Sequence, residues 1–315
     1  MQEVTGTIRP IWIVGAGAVG LHLAARLAAV RPVTVVARGP RAELLAAEGF
    51  ALTGAEERPA RVPVVEVTRP WTPPAEAIVL VAVKATQLAE TLEQVAPRLA
   101  PGQVVGLCQN GLGVAALARR HAAAARLVRV ACWLGAHLAG PAAVRVAGVF
   151  RLELAADDPA VSSDLSELQA ALMAAGYPVD RAPAIAACEW RKSLWNLAVS
   201  GACALMDEPN GAILDSPPLH ALARDLLAEA RAVAAAEGVA LADEDLERVF
   251  VSTRSTRANV NAMLQDLRRG ATTEMPFLNA EVARLAALHG LAAPTHAAIA
   301  RLVAHRERRS APAAP

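Results

Sequence analysis

The chain has 315 residues, a formal net charge of +1 and 54% hydrophobic residues, a share swollen by alanine. That length suggests roughly two domains of ordinary size, and so balanced a charge advertises neither a nucleic-acid nor a membrane surface. No apolar run reaches the roughly 18 uncharged residues of a membrane span, MQEVTGTIRP at the start lacks the pattern of a secretory signal, and the four cysteines form no C-x-x-C pair, so a soluble, cytoplasmic protein with reduced, buried cysteines is expected.

Residues 11–14 (IWIV) are short, apolar and rich in β-branched residues, and read as a strand. GAGAVG at 15–20 follows at once, and the alanine- and leucine-rich stretch behind it predicts a helix over 18–30. Strand, glycines and helix in this order are an arrangement that binds a dinucleotide. Gly15 permits the tight turn, Gly17 lets backbone approach a pyrophosphate and Gly20 lets the helix pack close to the strand. The helix N-terminus supplies amides for the anion. A second strand is expected at 33–37. An NAD-preferring site would close it with a carboxylate for the ribose 2′-hydroxyl, whereas this chain has Arg38, a cation suited to the 2′-phosphate of NADP.

Residues 51–76 are polar and proline-rich, with short strands and turns expected. AIVLVAV at 77–83 is the continuous apolar run of a strand buried on both faces of a parallel sheet. Lys84 stands at its carboxyl end, where open α/β sheets bind ligands. A helix over 87–99 stops at Pro101-Gly102, and a strand at 104–108 runs into Gln109-Asn110-Gly111. The Asn-Gly pair is either a plain turn or a place where Asn110 can reach a nicotinamide ribose or a substrate. A strand at 126–133, short alternating runs at 144–146 and 149–154 around Gly148 that read as an antiparallel extension, a helix over 164–175 and a last strand at 177–180 follow. Together they predict a doubly wound α/β domain over residues 1–183.

From about residue 185 the pattern is helical, giving an all-α domain over 184–315. EWRKSLWNLAVSGACAL at 189–205 predicts one helix, with Lys192, Asn196 and Ser200 four residues apart and therefore on one face. A solvated stripe is the bland explanation, since lysine and asparagine are usually exposed. Composition weighs against it, because 31 residues are Lys or Arg and only Lys84 and Lys192 are lysines. Where arginine is the default cation, a retained lysine suits a group that must give up a proton, which guanidinium does not. EPNG at 208–211 breaks the helix. Further helices are expected over 219–237, 243–251, 257–269, 276–288 and 297–305, with 270–274 a polar interruption and RERRSAPAAP a frayed tail. The seven histidines show no metal spacing, and no metal site is expected.

In this order and spacing the motifs resemble the ketopantoate reductase (2-dehydropantoate 2-reductase) family, from about residue 11 to residue 303. They are GAGAVG at 15–20, VKATQ at 83–87, QNGLG at 109–113, WRKSLWN at 190–196, EPNG at 208–211, MLQDL at 263–267 and TE at 273–274 ahead of PFLN. The resemblance implies a Rossmann domain that binds NADPH, a helical domain, and a cleft between the two. It implies cofactor contacts from Gly15, Ala16, Gly17, Ala18, Val19, Gly20, Arg38, Lys84, Asn110, Ala136 and Glu274. Lys192 matches the family's catalytic lysine and Glu274 an active-site glutamate. Asn196 and Asn210 match substrate-binding asparagines, and Ser200 and Ala262 occupy further substrate-contacting positions. Three positions depart from the usual pattern: Ser200 replaces an asparagine, Ala262 a serine and Pro276 an acidic residue.

The implied reaction is NADPH-dependent reduction of ketopantoate to pantoate in pantothenate biosynthesis. Lys192 would stabilise the developing charge on the C2 oxygen and deliver its proton. Ser200 and Ala262 motivate an alternative, the same chemistry on another branched or bulky 2-oxo acid. A non-catalytic NADPH-binding protein and a flavoprotein sharing the glycine fingerprint are the readings from other classes. A homodimer is allowed by the resemblance alone, and the expected partner is a small 2-oxo acid.

Overall fold

The computed structural model describes residues 9–310. Its strands are β1 (Ile11–Val14), β2 (Val33–Ala37), β3 (Phe50–Gly54), β4 (Arg58–Ala60), β5 (Val64–Glu66), β6 (Ile78–Val81), β7 (Val104–Leu107), β8 (Arg126–Gly140), β9 (Ala143–Ala155) and β10 (Val179–Arg181). They form one sheet in the order β4-β3-β9-β8-β7-β6-β1-β2-β5, with β10 added against β9. From β5 to β8 every pairing is parallel, and the chain reverses its direction of strand addition between β1 and β6. This is the doubly wound order of a dinucleotide-binding sheet, whose ligands sit outside the carboxyl ends at the reversal. Every residue of β6 and β7 is buried, as the unbroken apolar runs anticipated. The helices of this region are α1 (Ala18–Leu27), α2 (Pro40–Glu48), α3 (Leu88–Val95), α4 (Val114–His121) and α5 (Ser162–Ala174).

Three stretches of this region differ from expectation. The runs at 126–133, 144–146 and 149–154 are parts of one long antiparallel hairpin of β8 and β9. Gly135 faces Gly148 in it, and three register shifts interrupt the pairing, which erases the clean two-residue alternation that marks a strand. Helices α2 and α4 were not anticipated. Proline is well tolerated in the first helical turn, which is where Pro40 sits in α2.

The remaining helices are α6 (Ile185–Trp195), α7 (Gly201–Met206), α8 (Ala212–Asp215), α9 (Pro217–Ala236), α10 (Asp243–Ser255), α11 (Ala262–Arg268), α12 (Asn279–Leu288) and α13 (Pro294–Ser310). The helix expected over 189–205 is interrupted: α6 passes through a π-helical turn, Asn196–Ser200, before α7 begins. The helix expected over 257–269 begins late, at Ala262, because the Asn261 side chain caps it by accepting from the Leu264 amide at 3.0 Å. Arg306 to Ser310 are helical rather than frayed. Arg306 donates to the carbonyls of Ala204 and Leu205 at the end of α7, where a cation satisfies open carbonyls. Residues 311–315 and most of MQEVTGTIRP lie outside the described residues.

The chain divides into two compact units. One runs to Gln109 and resumes over Ala115–Cys188; the other comprises Asn110–Val114 and Glu189 onward. The division at Cys188 falls inside α6, a little beyond the expected boundary at 183, and it assigns the Asn110 segment to the helical unit. None of the four cysteines forms a disulfide, and all four are buried. No helix among the described residues is long and apolar enough to cross a membrane.

Candidate active site

In the first unit the loop after β1 carries the glycines, and each is glycine for a different reason. Gly15 has φ +115°, and a Cβ there would stand 2.9 Å from the backbone of Ala82. A Cβ on Gly20 would lie 1.9 Å from the Gly15 carbonyl oxygen. These two are dictated by the protein's own packing. Gly17 is not: its φ is an ordinary −78°, and the nearest atom to a Cβ is the Ala82 oxygen at 3.8 Å. The space beside Gly17 is open, which is what close approach of a pyrophosphate requires. Gly17, Ala18 and Val19 are only half-buried, and the first turn of α1 carries neither a capping side chain nor an acidic residue. Its amides are oriented for an anion, so the residues present fit a dinucleotide.

Arg38 follows β2. Its side chain is 55% exposed and 3.4 Å from Glu90, itself 59% exposed. An ion pair this wet contributes little, and the guanidinium can turn to a phosphate. The carboxylate of this corner comes from another strand and was invisible in the linear sequence. Glu66 sits beside Ala37 on β5 and accepts from the backbone amides of Gly39 (3.2 Å) and Thr68 (2.8 Å) and from the Thr68 hydroxyl. The hydroxyl, with those amides behind it, holds its carboxyl below the usual range, so Glu66 is committed to shaping the loop. Lys84 is half-buried at the exit of β6, its carbonyl accepting from the Gln87 amide at 2.9 Å. Ala136 lies in β8 beside one of the register shifts.

The second unit holds a small open cavity lined by Asn110, Asn196, Ser200, Ala262, Met263, Asp266, Glu274 and Leu278. Residues from four separate motifs therefore meet in one place. The Asn110 segment is fastened within this unit. The Leu112 amide donates to the Phe277 carbonyl at 2.8 Å, the Gly113 amide to Glu189 at 3.0 Å and the Asn110 side chain to Glu274 at 3.3 Å. Gly111 has φ +105°, and any Cβ would press within 2.6–2.7 Å of Phe277, so the Asn-Gly pair is more than a turn signal. The Ser200 hydroxyl donates to the Asn196 side-chain oxygen at 3.2 Å. Lys192 is half-buried in the last turn of α6, one turn before Asn196. Glu274 begins a short 3-10 turn, in a loop moored by the Thr273 amide on Glu307 at 2.8 Å.

Lys192 is not among the residues that line this cavity, and neither is Asn210. Asn210 is 1% exposed, its side-chain nitrogen donates to the Thr256 carbonyl (3.2 Å) and its oxygen accepts from Asn261 (3.4 Å). Its own amide donates to the Asn259 carbonyl at 3.0 Å. Both ends of the side chain are engaged in holding the 256–261 loop that leads into α11. Asp266, by contrast, lines the cavity, pairs with Arg269 at 2.8 Å, and was not singled out. The signal was present: Asp266 is four residues after Ala262 and so shares its helical face.

The signature described as "Ketopantoate reductase PanE/ApbA" matches residues 11–158, and "Ketopantoate reductase PanE/ApbA C terminal" matches residues 184–307. A 2-dehydropantoate 2-reductase of Mycobacterium tuberculosis is 30% identical over 287 residues, covering 90% of this chain and 93% of its own. One from Halobacterium salinarum is 30% identical over 231 residues, or 73% and 76% of the two chains. Among solved structures, a PanE/ApbA family ketopantoate reductase from Ralstonia eutropha JMP134 superposes with a TM-score of 0.85 at 26% identity, over 96% of this chain and 99% of that one. A D-mandelate dehydrogenase solved with NADH and anilino(oxo)acetate shares the fold, with a TM-score of 0.87 at 20% identity over 96% and 99%. With both halves matched and relatives aligned nearly end to end, this chain belongs to the ketopantoate reductase family.

Proposed function

We propose that the protein is an NADPH-dependent reductase of a 2-oxo acid, with ketopantoate as substrate and pantoate as product. The observation that carries this reading is the convergence of Asn110, Asn196, Ser200 and Glu274 on one cavity, a helical turn from one of the chain's two lysines. The open space at Gly17, the bare first turn of α1 and Arg38 support NADPH as the cofactor. When bound, it supplies a hydride to the substrate's C2 carbonyl carbon.

The protein's own residues deal with the oxygen. As the carbonyl becomes an alkoxide, Lys192 Nζ faces the growing charge and gives it a proton, leaving a neutral amine that is recharged from solvent. Asn196 and Ser200 hold the substrate's polar groups, their hydroxyl-to-amide bond fixing which donors point outward. Glu274 accepts from Asn110 and orients that amide toward cofactor or substrate. Asn210 acts at one remove, by holding the loop ahead of α11. Ala262, Met263 and Leu278 give the cavity an apolar wall, which supports a branched carbon chain beside the oxo group. A cytoplasmic location and independence of nucleic acid and membrane belong to this reading.

The test is loss of NADPH absorbance with ketopantoate, run beside pyruvate and 2-oxoisovalerate and repeated with NADH. Ketopantoate leading in kcat/KM supports the reading. Another branched acid leading would keep the chemistry and move the substrate, as Ser200 and Ala262 in the cavity allow. Lys192→Ala should lower kcat by about 10²- to 10⁴-fold, the span of general acid catalysis, with NADPH affinity nearly unchanged. An undiminished rate would remove Lys192 from the chemistry.

A further inference from the structure

We infer that Asn279, held by His296, is a positioning residue that keeps the Asn196–Ser200 turn in its π-helical form and so sets substrate affinity. This rests on the proposed 2-oxo acid reductase. Asn279 starts α12 and His296 lies in the first turn of α13; both are fully buried. The Asn279 side-chain nitrogen donates to the Leu197 carbonyl at 2.9 Å and stands 3.0 Å from His296 Nδ1. His296 Nε2 in turn faces the Leu226 carbonyl at 2.9 Å.

These contacts assign the protons. A carbonyl can only accept, so His296 Nε2 carries the hydrogen and Nδ1 is left as an acceptor. The Asn279 nitrogen must then spend one hydrogen on Nδ1 and the other on Leu197. The Asn279 orientation follows from both partners, since flipping the amide would set oxygen against the Leu197 carbonyl. Its oxygen is left buried without a hydrogen-bonding partner, a cost the site tolerates to keep the nitrogen where it is.

The Leu197 carbonyl is the one that needs outside help. A π turn moves the ladder from i+4 to i+5 and leaves a carbonyl to be satisfied from elsewhere. Leu197 lies within Asn196–Ser200, between two residues that line the cavity. Without the donor from α12, the ladder gains by relaxing to an ordinary α-helix. That slip rotates Asn196 against Ser200 and disperses the polar face. The turn is also packed close behind: a Cβ on Gly201 would come within 2.5 Å of the Ile299 side chain on α13.

The experiment uses the full-length enzyme with NADPH and ketopantoate. Asn279→Asp replaces the donor by an oxygen at constant shape, and is expected to raise the KM for ketopantoate about tenfold, the loss of one buried hydrogen bond. The NADPH dissociation constant, read by fluorescence, should stay within about twofold. His296→Leu should raise KM in the same direction. His296→Asn, whose amide oxygen can stand in for Nδ1, should recover most of that loss. A wild-type enzyme with no 2-oxo acid reductase activity would sink the proposed function. An active wild type whose Asn279→Asp and His296→Leu variants melt earlier yet keep their KM would overturn only this inference. Should Asn279→Asp fail to fold, the comparison of His296→Leu with His296→Asn decides the matter alone.

Discussion

The two units prepare their sites by opposite means. The glycine loop of the first unit is shaped by what is missing: side chains are absent at Gly15 and Gly20 because the backbone of Ala82 and the Gly15 carbonyl fill those places. The π turn of the second unit is shaped by what is added from afar, an amide on α12 and an imidazole on α13. A site built from steric absence is local and stiff. One built from remote hydrogen bonds can be altered by changes that never touch the ligand.

The largest effect that separates these designs comes from the glycines themselves. Gly20→Ala puts a Cβ 1.9 Å from a backbone oxygen, a clash no rotamer relieves, and should abolish soluble folded protein or all NADPH binding. Gly17→Ala meets only an oxygen at 3.8 Å and should fold with a melting temperature near wild type. If the open space serves a pyrophosphate, its NADPH dissociation constant should still rise more than about tenfold. Isothermal titration beside thermal melts reads both. A Gly17→Ala protein with unchanged affinity would show that the dinucleotide does not approach there.

These two regions also differ in how well the sequence foretells them. GAGAVG behind a strand is legible because the constraint and the residues that obey it are neighbours in the chain. The parallel strands β6 and β7 follow from apolar runs buried on both faces. The π turn was read as plain α-helix because EWRKSLWNLAVSGACAL has helical periodicity throughout, and the donor that opens it is Asn279. The β8–β9 hairpin was broken into fragments because Gly135, Gly148 and the register shifts interrupt its alternation. Glu66 and Asp266 were missed as well. Glu66 acquires meaning from the strand beside it, with no local pattern that says so, whereas Asp266 shares a helical face with Ala262 and carried that local signal.

Buried histidines sharpen the comparison through pH. His22 on α1 is fully buried, with Nδ1 2.7 Å from the Tyr177 hydroxyl and Nε2 3.3 Å from Glu56. Burial, working against the attraction of Glu56, lowers its pKa from 6.5 to about 4. The unfolded chain therefore takes up this proton first, so stability is complete above about pH 6.5 and is lost as the pH falls toward 4. The full span corresponds to about 3 kcal/mol. For Glu56, burial opposes ionisation but the Arg26 guanidinium outweighs it, and its lowered pKa removes stability in the same direction. Urea melts of wild type and His22→Gln between pH 7 and pH 4 should show a shallower decline in the variant. A parallel decline would exclude His22 as the source.

The smallest expected effect concerns Asn210, where a family motif and the geometry point to different roles. EPNG suggested a substrate contact, but the side chain is engaged by Thr256 and Asn261 and is 1% exposed. Asn210→Ala should therefore lower unfolding free energy by about 1–3 kcal/mol, the cost of orphaning buried polar groups, and change KM by no more than about twofold. Asn196→Ala, on the cavity wall, should do the reverse: a higher KM on a fold of nearly unchanged stability. If Asn210→Ala instead raises KM as much as Asn196→Ala does, the loop before α11 must open in the working enzyme and hand the amide to the substrate. The helical unit would then hold its site in two states, a freedom that the sterically filled corners at Gly15 and Gly20 deny the first unit.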